Sequence, residues 1–179
     1  MKLKNIVTTG LLTAMAVVLP MALHSIPKAG NIFLPMHLPV LLCGLLCGLQ
    51  YGLVCGVLAP LASNLVSGMP AMAYLPSMLF ELAVYGAAAG AFAKIVRTKN
   101  GAAHVYLALI SAMLAGRIVY GLANALVFQA GKYSLQVWLT SAFVTALPGI
   151  AIQLALIPAL VFALRAAKLF DRETVQATR

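Results

Sequence analysis

Carboxylates are almost missing from this 179-residue chain, where Glu81, Asp171 and Glu173 stand against twelve lysines and arginines. Glu81 is the single acid inside an apolar stretch, so no pair of carboxylates is available for hydrolytic chemistry and a proton-coupled carrier is poorly supplied. No Walker lysine motif and no HExxH are present, so neither ATP hydrolysis nor zinc-dependent hydrolysis is expected of the chain itself. Cysteine is equally scarce. Cys43, Cys47 and Cys55 all lie in apolar sequence, with no second pair and no nearby carboxylate to complete a metal site. They are read as small buried residues, and neither metal nor cofactor is expected.

Charged residues make up only 8% of the chain and hydrophobic ones 63%, with a mean hydropathy of +1.02, so lipid is the solvent over most of the surface. A span needs about 20 apolar residues, which leaves room for roughly six and none for a soluble domain. The expectation is one all-α integral membrane domain over residues 1–179. The net charge of +9 sits in clusters at the ends of apolar runs rather than along one face, which is a topological pattern and not that of a nucleic-acid binder. The opening residues, Met1 to Lys4 and then Ile6 to Leu23, have the outline of a secretory leader. They are read instead as a retained first span, because the remainder is membrane-embedded either way.

Apolar runs cover about 5–24, 38–66, 71–96, 102–129 and 136–168. As a single helix the run 38–66 would be about 43 Å long, against a hydrocarbon core of about 30 Å. Gly48-Leu49-Gln50-Tyr51-Gly52 in its middle predicts a tight turn between helices at 38–48 and 52–66. Six spans with the amino terminus inside place Lys2, Lys4, Lys94, Arg97, Lys99, Arg165, Lys168, Arg172 and Arg179 in the cytoplasm, against Lys28 and Lys132 outside. That is nine against two, where five spans give eight against three, so the positive-inside rule favours six with both termini cytoplasmic. The last run is taken as one helix kinked at Pro148-Gly149.

Small residues recur at fourfold spacing, at Gly10 and Ala14 and again at Gly44, Gly48, Gly52 and Gly56. Such spacing lets helix backbones approach inside a bilayer, either within the chain or against another subunit, and Gly10 with Ala14 is the better candidate for the second. Ionisable groups deep in a span cost at least about 2.5 kcal/mol each, which makes Glu81 and Arg117 functional candidates. Their depths match, so they either lock the fourth span to the fifth as an ion pair or face a polar ligand. Arg117, Tyr120 and Asn124 share one helical face. The first outer connection, Ser25 to His37, holds three prolines in or beside it and the apolar tip Ile32-Phe33-Leu34, a composition suited to a lid, with His37 at the head of the next helix. Asn64 precedes the turn Ser67-Gly68-Met69-Pro70, and Trp138 is either an interfacial anchor or a stacking face at a cavity mouth.

The stretch Phe33 to Gly44 (FLPMHLPVLLCG), followed by Gly48-Leu49-Gln50-Tyr51-Gly52 and Gly68-Met69-Pro70, resembles the substrate-binding S components of energy-coupling factor (ECF) transporters. The likeness is to the broad family of pantothenate, folate, riboflavin and queuosine-related S components. It implies high-affinity capture of a vitamin-like nutrient in an outward-facing pocket of a multi-pass protein of the bacterial plasma membrane. Toppling against a transmembrane coupling subunit, driven by two cytoplasmic ATPases, would then complete uptake. It places Gly10 and Ala14 at the coupling subunit and the pocket among His37, Glu81, Arg117, Tyr120, Asn124 and Trp138, to which Asn64 is added as a substrate-binding candidate. An anionic nutrient such as pantothenate would use Arg117, and a flat base such as queuine would use Glu81 with an aromatic partner; Tyr74, Tyr85, Tyr120 and Trp138 tilt the expectation towards a heterocycle. A self-sufficient carrier and a non-transporting scaffold are the competing classes, and neither would copurify with a coupling subunit and ATPases.

The charge distribution makes a prediction. A cysteine at position 50, in a background without the native cysteines, reacts with an impermeant maleimide only after the membrane is opened; labelling from outside intact cells reverses the topology.

Overall fold

The computed structural model describes residues 2–96, 98, 100–129 and 133–170. Arg97, Lys99, Lys132, Arg172 and Arg179 of the charge count lie outside them. The regular elements are α1 (Lys2–Ala22), α2 (Ala29–Phe33), α3 (His37–Cys47), α4 (Leu49–Ser67), α5 (Leu75–Ile95), α6 (Gly101–Ala123), α7 (Leu135–Leu139) and α8 (Leu147–Ala166). Wider π-helical turns extend α6 through Asn124–Phe128 and α7 through Thr140–Thr145. Helices dominate because a backbone amide in hydrocarbon finds its partner only inside its own segment. Among the described residues six segments are long and apolar enough to cross a bilayer: α1, α2 with α3, α4, α5, α6 with its π turn, and α8. The protein is an all-α, multi-pass membrane protein.

The run 38–66 divides at one residue. Gly48 has φ 93° and ψ 178°, a conformation almost closed to residues with a Cβ. Its N–H closes the last turn of α3 on the Gly44 carbonyl and its carbonyl opens α4 by accepting from Gly52, both at 2.9 Å. Gln50, Tyr51 and Gly52, expected in a five-residue turn, therefore form the first turn of α4. The hairpin is tight enough that Gly52 faces Gly44 directly.

α5 runs along this hairpin in the opposite sense to α4. Gly90 packs on the backbone of Gly48 and Leu49, Gly86 on Gly52, and Gly56 on the Leu82 carbonyl, so four residues forward on α4 are four back on α5. No side chain intervenes at these points. Of the two roles open to the fourfold glycines, internal packing takes Gly44, Gly52 and Gly56. α1 covers the hairpin from the other side, where the Thr13 hydroxyl donates to Cys55 Sγ at 3.4 Å and Cys43 Sγ donates to Thr9 Oγ1 at 3.6 Å. All three cysteines are free and buried there. Gly10 and Ala14 lie on the opposite, exposed face of α1. Lys4 Nζ stands 4.2 Å from the Phe170 ring centroid, which brings the two ends of the described chain to one end of the bundle.

Two connections differ from expectation. The last run is not one kinked helix: Ala146, with ψ near 0°, separates the π turn from α8. Pro148 has no N–H to give and its ring excludes the carbonyl four residues earlier, so the helix restarts rather than bends. The first connection is itself folded, with Lys28 and Leu34 in left-handed conformations at either end of α2. The backbone of Ile32 and Phe33 lies on Gly149, at the start of α8.

The glycine seam is testable. Alanine gains about 1 kcal/mol of helix propensity over glycine, but overpacking against an immovable backbone costs about 1–3 kcal/mol. Gly86→Ala is expected to lower the thermal unfolding temperature in detergent, whereas Gly10→Ala, whose Cβ would meet nothing within 4 Å, holds or raises it. Equal responses from the two variants would take Gly86 out of the contact.

Candidate functional site

α5 carries Glu81 and Tyr85 one turn apart on its buried face, and α6 brings Arg117 opposite them. Gly116 makes this approach workable, because a Cβ there would fall inside the Tyr85 ring. Arg117 Nη1 donates to Glu81 Oε1 at 3.0 Å. His37, in the first turn of α3, sets its Nε2 3.4 Å from the same oxygen. Its ring meets Tyr85 edge to face at 5.0 Å, and the Arg117 guanidinium lies 6.0 Å from the Tyr85 ring centroid. His37, Glu81 and Arg117 are 2%, 3% and 5% exposed, so water screens none of these contacts.

The cluster is incompletely satisfied. Arg117 Nε and Nη2, both ring nitrogens of His37 and the Tyr85 hydroxyl are buried without a hydrogen-bond partner. A buried polar group left in this state costs about 1–3 kcal/mol. Beside the cluster is a cavity of about 120 Å³ between α5, α6, α8 and the second π turn, with Tyr85, Met113, Arg117, Phe143, Ile150 and Leu154 among its lining.

Of the residues singled out in the sequence, His37, Glu81 and Arg117 come together directly. Trp138 joins them indirectly: its indole N–H donates to the Arg117 carbonyl at 3.0 Å, and its ring rests on Gly121 and meets Phe143 edge to face at 5.6 Å. Tyr120 and Asn124 lie further along α6. Asn124 is occupied with its own helix end, donating to the Tyr120 carbonyl at 2.9 Å and accepting from Gln129 Nε2 at 3.1 Å. Asn64 lies elsewhere, donating to the Pro70 carbonyl at 2.8 Å and so closing the connection between α4 and α5. Tyr85, named in the sequence only as one of four stacking faces, is at the centre of the site. Gln153 of α8 was not singled out; it is fully buried, with Nε2 3.5 Å from the Leu34 carbonyl and Oε1 unpartnered. Gln153 had a visible signal, as the one polar side chain between Leu147 and Leu164.

The arrangement offers donors, acceptors, one ion pair and aromatic surface, which is the equipment of recognition. Neither a curated protein nor a solved structure matches the chain significantly. A family model described as "ECF transporter, substrate-specific component" matches residues 4–161. Its members are substrate-binding transporter subunits rather than enzymes, working with a membrane coupling subunit and ATPases. The match runs from α1 into α8 and takes in every residue of the cluster, so this chain belongs to the family of substrate-specific components of ECF transporters.

Proposed function

We propose that this chain captures a small vitamin-like nutrient at the His37–Glu81–Arg117 cluster, for ATP-driven uptake across a bacterial plasma membrane. The observation that carries the reading is the pair of unpartnered donors on Arg117. A pair serving only to lock α5 to α6 has no reason to leave buried donors unmet, since native structures satisfy nearly all of them. A ligand that completes the hydrogen bonds recovers the cost as affinity. The heterocyclic expectation, with queuine as its example, draws support from Tyr85 and Phe143 in the cavity lining; the pantothenate alternative draws on Arg117 alone.

The coupling surface in this proposal is the exposed face of α1. Gly10 has nothing within 4 Å of where a Cβ would be, and Ala14 beside it is exposed, so another subunit's helix has room to approach. In the proposed orientation, with both termini cytoplasmic, the connections at 23–28 and 68–74 face outward.

Two outcomes test the proposal. Glu81→Gln or Arg117→Met alone leaves an uncompensated buried charge, and about 3–5 kcal/mol of stability is lost. The double variant regains most of that stability but binds the released and identified nutrient at least about tenfold more weakly, because charged hydrogen bonds of about 1.5–3 kcal/mol are gone. A folded double variant of unchanged affinity returns the pair to a purely structural role. Separately, Gly10→Leu is expected to leave binding by the isolated protein intact while reducing uptake in cells; equal losses of both would put Gly10 in internal packing.

A further inference from the structure

Resting on that reading of the pocket, we propose that the nutrient is electrically neutral. It presents a planar ring whose two adjacent acceptor atoms meet the Nε and Nη2 edge of Arg117, and a donor taken by Gln153.

The guanidinium is planar and rigid, and Glu81 engages it through Nη1. The nitrogens left unpartnered, Nε and Nη2, are the two that carry parallel N–H bonds along one edge. That fork fits two acceptors side by side, either the oxygens of a carboxylate or a ring nitrogen beside a carbonyl oxygen, the pattern by which arginine reads base edges. Charge decides between them. Glu81 already neutralises Arg117, and with both residues no more than 5% exposed a second carboxylate would enter as an uncompensated buried charge. A neutral ring supplies the same acceptor pair without that penalty.

Gln153 points to the same class. It is 0% exposed, its Nε2 lies 3.5 Å from the Leu34 carbonyl, and its Oε1 is an acceptor with no donor. The Leu34 carbonyl also accepts the His37 N–H at 3.1 Å, which ties Gln153 to the cluster. Gln153 does not itself line the cavity, but its neighbours along α8, Ile150 and Leu154, do, together with Arg117 and Tyr85. A carboxylate is only an acceptor and leaves Gln153 Oε1 unmet, whereas a ring amine or lactam N–H satisfies it.

Trp138 is the sole tryptophan and is bonded to the Arg117 carbonyl at 3.0 Å, so its fluorescence reports on the site. The test titrates the full chain in lipid nanodiscs with cytosine and with benzoate. Cytosine is neutral, with adjacent O2 and N3 acceptors beside an amino donor; benzoate is a carboxylate on a ring of the same size. Cytosine is expected to shift the emission saturably and to bind at least about tenfold more tightly than benzoate. Arg117→Lys keeps the charge but removes the fork, and Gln153→Leu removes the acceptor; each is expected to weaken cytosine about tenfold, with thermal unfolding showing that the variant is folded. Tighter binding of benzoate, no response to either probe, or cytosine affinity unchanged in a folded Gln153→Leu protein overturns the proposal. Mass spectrometry of the molecule released on denaturation separates the two levels. A carboxylate nutrient from protein that copurifies with a coupling subunit rejects the neutral class and keeps the transport reading, while no released molecule and no coupling subunit reject both.

Discussion

Gly52 and Gly86 meet backbone to backbone, and the position of nearly everything else in the bundle follows from that contact. Inside a bilayer, burying a leucine against a neighbour gains little over leaving it in lipid, so close van der Waals approach has to hold helices together. The glycines of α3, α4 and α5 provide that approach, with Gly44 and Gly56 continuing the seam on either side. α5 is thereby pinned along one face, and its next face carries Glu81 and Tyr85 towards α6 and α3. Adding a methyl group to the seam would move not only two helices but also the carboxylate on which Arg117 and His37 converge.

The polar cluster follows a different economy from the seam. An ion pair in hydrocarbon surroundings costs desolvation that its Coulomb attraction does not reliably repay, and a fully satisfied network is needed to make it tolerable. Here the network stops short at Arg117, His37, Tyr85 and Gln153. Four helices, α3, α5, α6 and α8, each contribute at least one of these groups, while Asn5, Ser63 and Tyr133 carry unpartnered atoms elsewhere. The convergence of four helices on one ion pair is what supports the proposed pocket over a purely structural pair.

The surroundings of the cluster divide into held and lightly held parts. α2 is anchored by its backbone on Gly149 and by the Leu34 carbonyl, which accepts from Gln153 and His37. The segment from α7 through the second π turn has fewer ties: α7 has no fully buried residue, and Trp138 attaches it to α6 through one indole hydrogen bond and the space left by Gly121. The second π turn contributes Phe143 to the cavity lining, while the first lies beyond the lining residues of α6. The wider backbone of π turns changes which side chains face inward, and such turns are often found at functional sites.

Composition and charge alone determined the solvent, the helical class and the number of spans, because hydropathy and the length of a span are properties of contiguous sequence. The break in the run 38–66 was legible for the same reason, since a helix of that length has no place in a bilayer. That the break is one residue, Gly48, depends on its left-handed φ and on the close packing of α3 against α4, neither of which has a sequence period. Glu81 and Arg117 stood out as charges in apolar runs, and their pairing was one of two readings their matching depth allowed. What only the tertiary structure decided is which neighbours satisfy them. His37 is distant in sequence and reaches Glu81 because α3 packs along α5, Tyr85 is drawn in by the space at Gly116, and Asn124 and Asn64 are taken by nearby carbonyls. Gln153 was visible as a lone amide in an apolar helix, but its unpaired oxygen becomes meaningful only beside Leu34 and the cavity. Hydrogen-bond satisfaction is a property of three-dimensional neighbours, and no linear pattern encodes it.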